Sequence, residues 1–143
     1  MNLFTTFKIA ASALKSQRTR LNTISSNLAN VETTSTPEGG PYKKKSVYFE
    51  STAIPFADHL QSSMNQGVSG VKVAKILEDD KPPQRIYNPS HPDAGKDGYV
   101  EMPNINVLKE MTDMMSATRS YEANTTTIKS AKRMALKALE IGR

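Results

Sequence analysis

Two histidines, one Asp/Gly turn and one lysine run are the places where this chain could do chemistry. His59 lies in "DHLQSSM", a polar stretch with helical spacing, and His91 in the turn-like "NPSHPD". A zinc site needs three or four ligands converging on one point, and no close His/Asp/Glu cluster accompanies either histidine. "DAGKDG", from Asp93 to Gly98, imitates the opening of a calcium loop, with Asp93, Asp97 and Gly98 at its first, fifth and sixth positions. Gly95 then falls at the third position and Asn104 at the twelfth, where a bidentate Glu is wanted, so the segment reads as a turn. "EGGPYKKK" sets glycines before lysines without the Gly-x-x-x-x-Gly-Lys-Ser/Thr spacing that wraps phosphate. Lys43, Lys44 and Lys45 read instead as a solvated strand edge that blocks edge-to-edge pairing. There is no Gly-x-Ser-x-Gly elbow. The expectation is a protein that is not an enzyme, with no catalytic, cofactor-binding or metal-binding residues.

The elements that would position any site are unusual for 143 residues. Hydrophobic residues make up 37%, below the usual ~45–50%. With nine aromatic residues (five Tyr, four Phe) and no Trp, there is little material for a thick private core. Either the fold is elongated or other subunits bury part of its apolar surface. Cysteine is absent, which excludes disulfides and thiolate metal sites. No run of ~18 apolar residues offers a membrane span. The start, "MNLFTTFKIAASALKSQRTR", has no basic region ahead of its apolar run, which Lys8 and Lys15 interrupt. It reads as mature protein, with export by a route that cleaves no signal. The net charge of +5 is uneven: residues 1–31 carry four bases and no acid, whereas residues 32–103 carry eight bases and ten acids. Residues 104–143 carry seven bases and four acids. Basic ends fit nucleic acid, anionic lipid or contact with other subunits.

Phe7, Leu14, Leu21 and Leu28 recur every seven residues, with Leu3, Phe4, Ala10, Ala11, Ile24 and Val31 beside them and Gln17 as a polar exception. This predicts a helix from about Leu3 to Val31. Val107, Met114, Tyr121, Ile128 and Ala135 repeat the pattern, flanked by Met111, Ala117, Ala131, Ala138 and Leu139. This predicts a second helix from about Val107 to Ile141. Asn104 or Asn106 would cap its start and Gly142 its end. Heptad stripes on both helices predict a coiled-coil pair. Phe4, Phe7, Leu14, Leu21, Ile24 and Leu28 would pack for the first helix. Val107, Met111, Met114, Tyr121, Ile128, Ala135 and Leu139 would pack for the second. Arg18, Ser25, Thr118, Thr125 and Lys132 interrupt the stripes, which suits faces that meet several neighbours.

All eight prolines, and every glycine but Gly142, lie between Pro37 and Pro103. "KSVYFES", "GVSGVKVAKIL", "QRIYNP" and "DGYVEMP" read as short strands, and "KDG" as a turn. Ala53–Gly70 reads as loosely structured, with a helical turn or two at "DHLQSSM". The fold class expected is mainly α with a small irregular β region. Residues 1–34 and 104–143 form paired terminal helices, and residues 35–103 a Pro/Gly-rich middle segment.

Between the first helix and that middle segment stands "SSNLANVETT", Ser25–Thr34. Asn27 and Asn30 are short side chains that bond locally and tolerate turns, while Thr33, Thr34 and Pro37 favour extended chain. They read as the corner that ends the helix. Asn27, Leu28, Ala29, Asn30 and Thr33 also match an Asn-Leu-Ala-Asn-x-x-Thr pattern. It resembles the signature of bacterial flagellar axial proteins, the rod and hook family. In that family Thr-Pro-Gly-Tyr usually follows at once. Here Thr36 and Pro37 are separated from Tyr42 by further residues, a departure typical of proximal-rod members. "HPDAGKDGYVEMPNIN", "RSYEAN" and "MALKALEIGR" resemble the same members, so the likeness spans essentially the whole chain.

The resemblance implies a structural subunit of the flagellar proximal rod. It implies terminal helices that line an inner tube, a middle segment outside it, and a helical array that carries torque around an export channel. Its implied partners are copies of itself, other proximal- and distal-rod proteins, the adaptor FliE and the type III export apparatus. No nucleic acid and no membrane insertion are implied. The implied location is the basal body, with the rod in the periplasm. Asn27 and Asn30 are expected to bridge to an adjacent subunit as well as end the helix. The termini are expected to be poorly ordered until they dock. The alternative from composition alone is a basic helical adaptor for nucleic acid or anionic membrane.

Overall fold

The computed structural model describes residues 3–52 and 69–141. His59, the turn expected at "DHLQSSM", the loose stretch after Ala53 and the cap expected at Gly142 lie outside the described residues. The element order is α1 (Leu3–Ala29), β1 (Lys45–Thr52), β2 (Gly70–Glu78), β3 (Gln84–Tyr87), β4 (Tyr99–Met102) and α2 (Val107–Ile141). It is the mainly helical fold with a small β region that the sequence predicts.

No proline or glycine interrupts α1 or α2. Their 27 and 35 residues span about 40 and 52 Å at ~1.5 Å per residue. At the start of α2, Asn106 Oδ1 accepts the Lys109 amide at 3.1 Å, satisfying one of the first-turn donors that a helix cannot pair internally. Asn104 is turned away instead, bonding Gln84 and the Pro82 carbonyl. The helices run antiparallel: Asn27 meets Glu110 and, farther back on α1, Arg20 meets Asp113.

The seam between them differs in detail from the predicted stripes. The buried residues of α2 are Glu110, Ala117 and Ala131, on the heptad line three residues after Val107. Of the predicted packing residues, Ile24 is buried. Phe7, Leu14, Leu21, Leu28, Met114, Ile128 and Ala135 are half-buried. Phe4, Val107, Met111, Tyr121 and Leu139 are exposed. Two causes combine. Alanines at positions 10, 117 and 131 let the helices approach closely, which pushes larger side chains to the margins. The β1–β2 hairpin also claims a second face of α1, so Ser16, Thr23 and Asn27 are buried beside Ala10 and Ile24.

The hairpin is held by its backbone. β1 pairs antiparallel with β2, Lys45 opposite Glu78 and Ser51 opposite Val71, with a register step between Tyr48 and Phe49. Ser12 Oγ accepts the Val71 amide at 3.1 Å, and Ser16 Oγ donates to the Val71 carbonyl at 3.3 Å. Asn27 does the same for Lys45 at the other end of the strand pair. The lengths match. The ~13 residues of helix between the serine pair and Asn27 cover roughly 20 Å, and the stretch of β1 from Lys45 to Ser51 covers about the same at ~3.3 Å per residue. Ser12, Ser16 and Asn27, polar residues inside α1, are therefore clasps for strand ends.

β3 and β4 form a second antiparallel pair, with Ile86 opposite Val100 and Tyr87 opposite Tyr99. Gly98 turns the chain into β4 at φ 74°, and a Cβ there would come within 2.8 Å of the Tyr87 ring. Val100 and Ile105 are buried. Among the described residues the buried hydrophobics are these two with Ala10, Ile24, Ala117 and Ala131, a thin core that is half alanine.

Candidate functional site

Among the described residues, side-chain hydrogen bonds crowd the helix-to-strand corner. α1 ends at Ala29 because Asn30 turns back on it. Both the backbone amide and Nδ2 of Asn30 donate to the Ser26 carbonyl, at 3.1 and 2.8 Å, satisfying an acceptor the helix end leaves open. Thr33 then ties the next turn to Asn30 through its backbone amide and its hydroxyl, each at 3.2 Å. Among the described residues only Gly39, Gly40 and Gly98 have positive φ, so the corner turns by side-chain bonding and not by a left-handed asparagine. Thr36 closes the next loop, its amide donating to the Gly40 carbonyl at 2.9 Å and its hydroxyl to the same oxygen at 3.2 Å. Pro37 is exposed within that loop.

Asn27 sits at the centre, 1% exposed. Its Nδ2 donates to the Lys45 carbonyl at 2.8 Å and to Glu110 Oε2 at 3.0 Å. Its Oδ1 accepts the Lys45 amide at 2.9 Å and the Tyr42 hydroxyl at 3.2 Å. A primary amide has two donors and two acceptor positions, and all four are engaged inside the chain. The group mimics a neighbouring strand for Lys45 while it reaches across to α2. Ser26 Oγ lies 3.3 Å from the same Tyr42 hydroxyl. Leu28 and Ala29 complete the motif, half-buried and exposed respectively.

Glu110 answers from α2. It is 2% exposed, with Oε2 on Asn27 and Oε1 accepting Lys44 Nζ at 2.7 Å. A buried carboxylate is stable only when paired and hydrogen-bonded, and this one is both. The lysine run is therefore not simply a solvated edge. Lys44 is drawn into the junction, Lys45 pairs with Glu78 at 3.6 Å, and Lys43 alone of the three is exposed. Sequence periodicity missed Glu110 and Lys44. The available signal was an acid on the same heptad line as Ala117 and Ala131, where an apolar residue is ordinary.

Beside this node, α1, β1 and α2 enclose an open groove of about 320 Å³. Its charged walls are already paired, Arg20 with Asp113 at 3.3 Å and Lys44 with Glu110. Of the other sequence candidates, His91 Nδ1 accepts the Asp93 amide within its turn, and Asp93 Oδ2 accepts the Thr34 hydroxyl at 2.6 Å. The calcium-like turn is thus tied to the corner. The geometry is that of a joint: it fixes two helices and a strand relative to one another.

Two family models match the chain. Residues 7–35 match the flagella basal body rod protein model, which covers the corner, and residues 96–141 match the C-terminal model of the flagellar basal body rod FlgEFG proteins. Relatives match from end to end. The flagellar basal-body rod protein FlgC of Bacillus subtilis is 46% identical, with 100% of both chains covered. That of Borreliella burgdorferi is 43% identical over 99% of this chain and 98% of its own. That of Salmonella typhimurium is 43% identical over 99% of each. Similarity of this extent joins the Asn27 corner and the second helix in one conclusion: the chain belongs to the FlgC family of flagellar basal-body rod proteins.

Proposed function

We propose that this chain, a structural subunit of the flagellar rod that assembles with other rod components, forms part of the proximal drive shaft. In this role the terminal segments that carry the paired helices, residues 1–34 and 104–143, form the inner tube around the export channel. Residues 35–103 form the outer segment, and the array carries torque from motor to hook. The adaptor FliE, the neighbouring proximal- and distal-rod proteins and the type III export apparatus are its partners, and assembly takes place in the periplasm by an export route without signal cleavage.

One observation carries this role, the inverted burial of the helix pair. Alanines fill the seam, while Phe4, Met111, Met115, Leu136 and Leu139 stand 51–77% exposed. Large apolar side chains left at the surface mark faces that other proteins cover. Within that array the Asn27–Glu110–Lys44 node sets the angle at which the outer segment leaves the tube, and Asn30, only half-buried, is the corner residue placed to reach a neighbour. The adaptor alternative loses ground because Arg20, Lys44 and Lys45 pair with Asp113, Glu110 and Glu78, which leaves those bases poorly placed for phosphate. Among the described residues no helix is long and apolar enough to cross a membrane.

Electron microscopy of basal bodies from a strain lacking the gene tests the role. Loss of rod and hook with the membrane ring retained is expected. Complete rods and hooks would overturn it.

A further inference from the structure

The net charge of this chain resides in one half of the helix pair. Asn27 beside Glu110 and Arg20 beside Asp113 place Arg18 level with Ala117 in the antiparallel register. Beyond that level, residues 3–18 of α1 and 117–141 of α2 hold eight bases and two acids, a net +6 in a chain whose total is +5. Lys137 pairs with Glu140 at 2.6 Å. Among the described residues, none of the other seven bases forms an ion pair. Lys8, Lys15 and Arg18 share one stripe of α1, and Arg119, Lys129 and Arg133 one stripe of α2, with Lys132 beside it. All seven are exposed. The corner half is the reverse. Residues 19–29 and 107–116 hold two bases and two acids. There Arg20 takes Asp113 at 3.3 Å, and Glu110 is taken by Lys44.

We infer that this basic half is a docking surface for a rod component other than this chain, one that presents an acidic face. The inference rests on the rod-subunit role. Copies of the chain do not supply the missing acids in any arrangement. Side by side in one direction, bases of one copy meet bases of the next, and like charges across an interface oppose contact. Head to tail, the basic half meets a corner half whose acids are already engaged by Arg20, Lys44 and Asn27. The middle segment of a second copy does no better. There Glu50, Glu78 and Asp79 pair with Lys72, Lys45 and Lys81, and Lys43, Lys75, Arg85 and Lys96 offset most of the acids that remain. A partner with several carboxylates on one face removes the repulsion and pairs with both stripes. Phe4, Leu136 and Leu139 lie in the same half and are 77%, 52% and 71% exposed. They add apolar contact to the charge, so the carboxylates select which chain docks and the apolar side chains help to hold it.

Carbodiimide crosslinking of purified basal bodies tests the surface, because it forms an amide only where a lysine and a carboxylate already touch. Immunoblotting first confirms the chain in the rods; its absence would count against the rod role itself. Mass spectrometry should then find Lys8, Lys15, Lys129 and Lys132 joined to Asp or Glu of a different rod protein. Links from these lysines to copies of this chain should be at least tenfold fewer. Links mainly to this chain's own acids, or none from these lysines in rods that contain the chain, would overturn the inference. A charge series gives a second readout. Lys129→Glu combined with Lys132→Glu and Arg133→Glu should lower completed rods at least tenfold without lowering the urea midpoint of the soluble chain. Lys129→Arg combined with Lys132→Arg should leave rod numbers normal. Normal rod numbers with the three glutamates would also overturn the inference. If the glutamates lower the urea midpoint, the crosslinks alone decide.

Discussion

The two ends of the helix pair are built on opposite principles. At the corner end, Asn27, Glu110 and Lys44 are buried or nearly so, and every donor and acceptor of the Asn27 amide is engaged within the chain. At the far end Met134, Leu136, Leu139 and Ile141 are 52–85% exposed, and the seam is closed by Ala131. The corner end is specified by polar geometry, which has one solution. The far end is specified by apolar surface, which accepts any complementary partner. A subunit that must hold its own shape yet bind several neighbours gains from that division. The intramolecular joint does not compete with the intermolecular contacts for the same residues.

The largest effect should come from Glu110→Ala. It leaves the Lys44 ammonium and one Asn27 donor without their acceptor, and breaking a buried pair from one side costs about 3–5 kcal/mol. Urea unfolding of the soluble chain should show a loss of that order; a loss below about 1 kcal/mol would mean that the node is not what holds the corner. Asn27→Ala comes next. It strands the Lys45 amide and carbonyl, and an unsatisfied buried group costs about 1–3 kcal/mol, with water able to reach some of the vacated positions. A loss of about 2–3 kcal/mol is expected by the same measurement. The smallest effect belongs to the far end: Leu139→Lys, at an exposed site, should move stability by less than about 0.5 kcal/mol. Equal losses at the two ends would erase the contrast.

Much of this architecture was legible in the residues. Heptads from Phe7 to Leu28 and from Val107 to Ala135, free of proline and glycine, place both helices almost to the residue. Alternation and turn residues place the four strands found among the described residues. The motif Asn27–Asn30 marks the corner, since asparagines at a helix end followed by Thr and Pro stop a helix for local reasons. What periodicity could not show was which heptad line would be central. That depends on the hairpin, whose backbone is clasped by Ser12, Ser16 and Asn27, a tertiary contact with no local signature. The same limit hid Glu110 and Lys44. Their charges read as surface until the fold brought them together across 66 residues of chain.

Hydrogen exchange on the soluble monomer tests this division most directly. Amides of α1 around Asn27 and of α2 from Glu110 to Ala117 should exchange slowly, as parts of the most stable unit. Those from Met134 to Ile141 should exchange fast until a rod subunit covers them. Uniform protection along both helices, or slow exchange at the far end with fast exchange at the corner, would contradict the account.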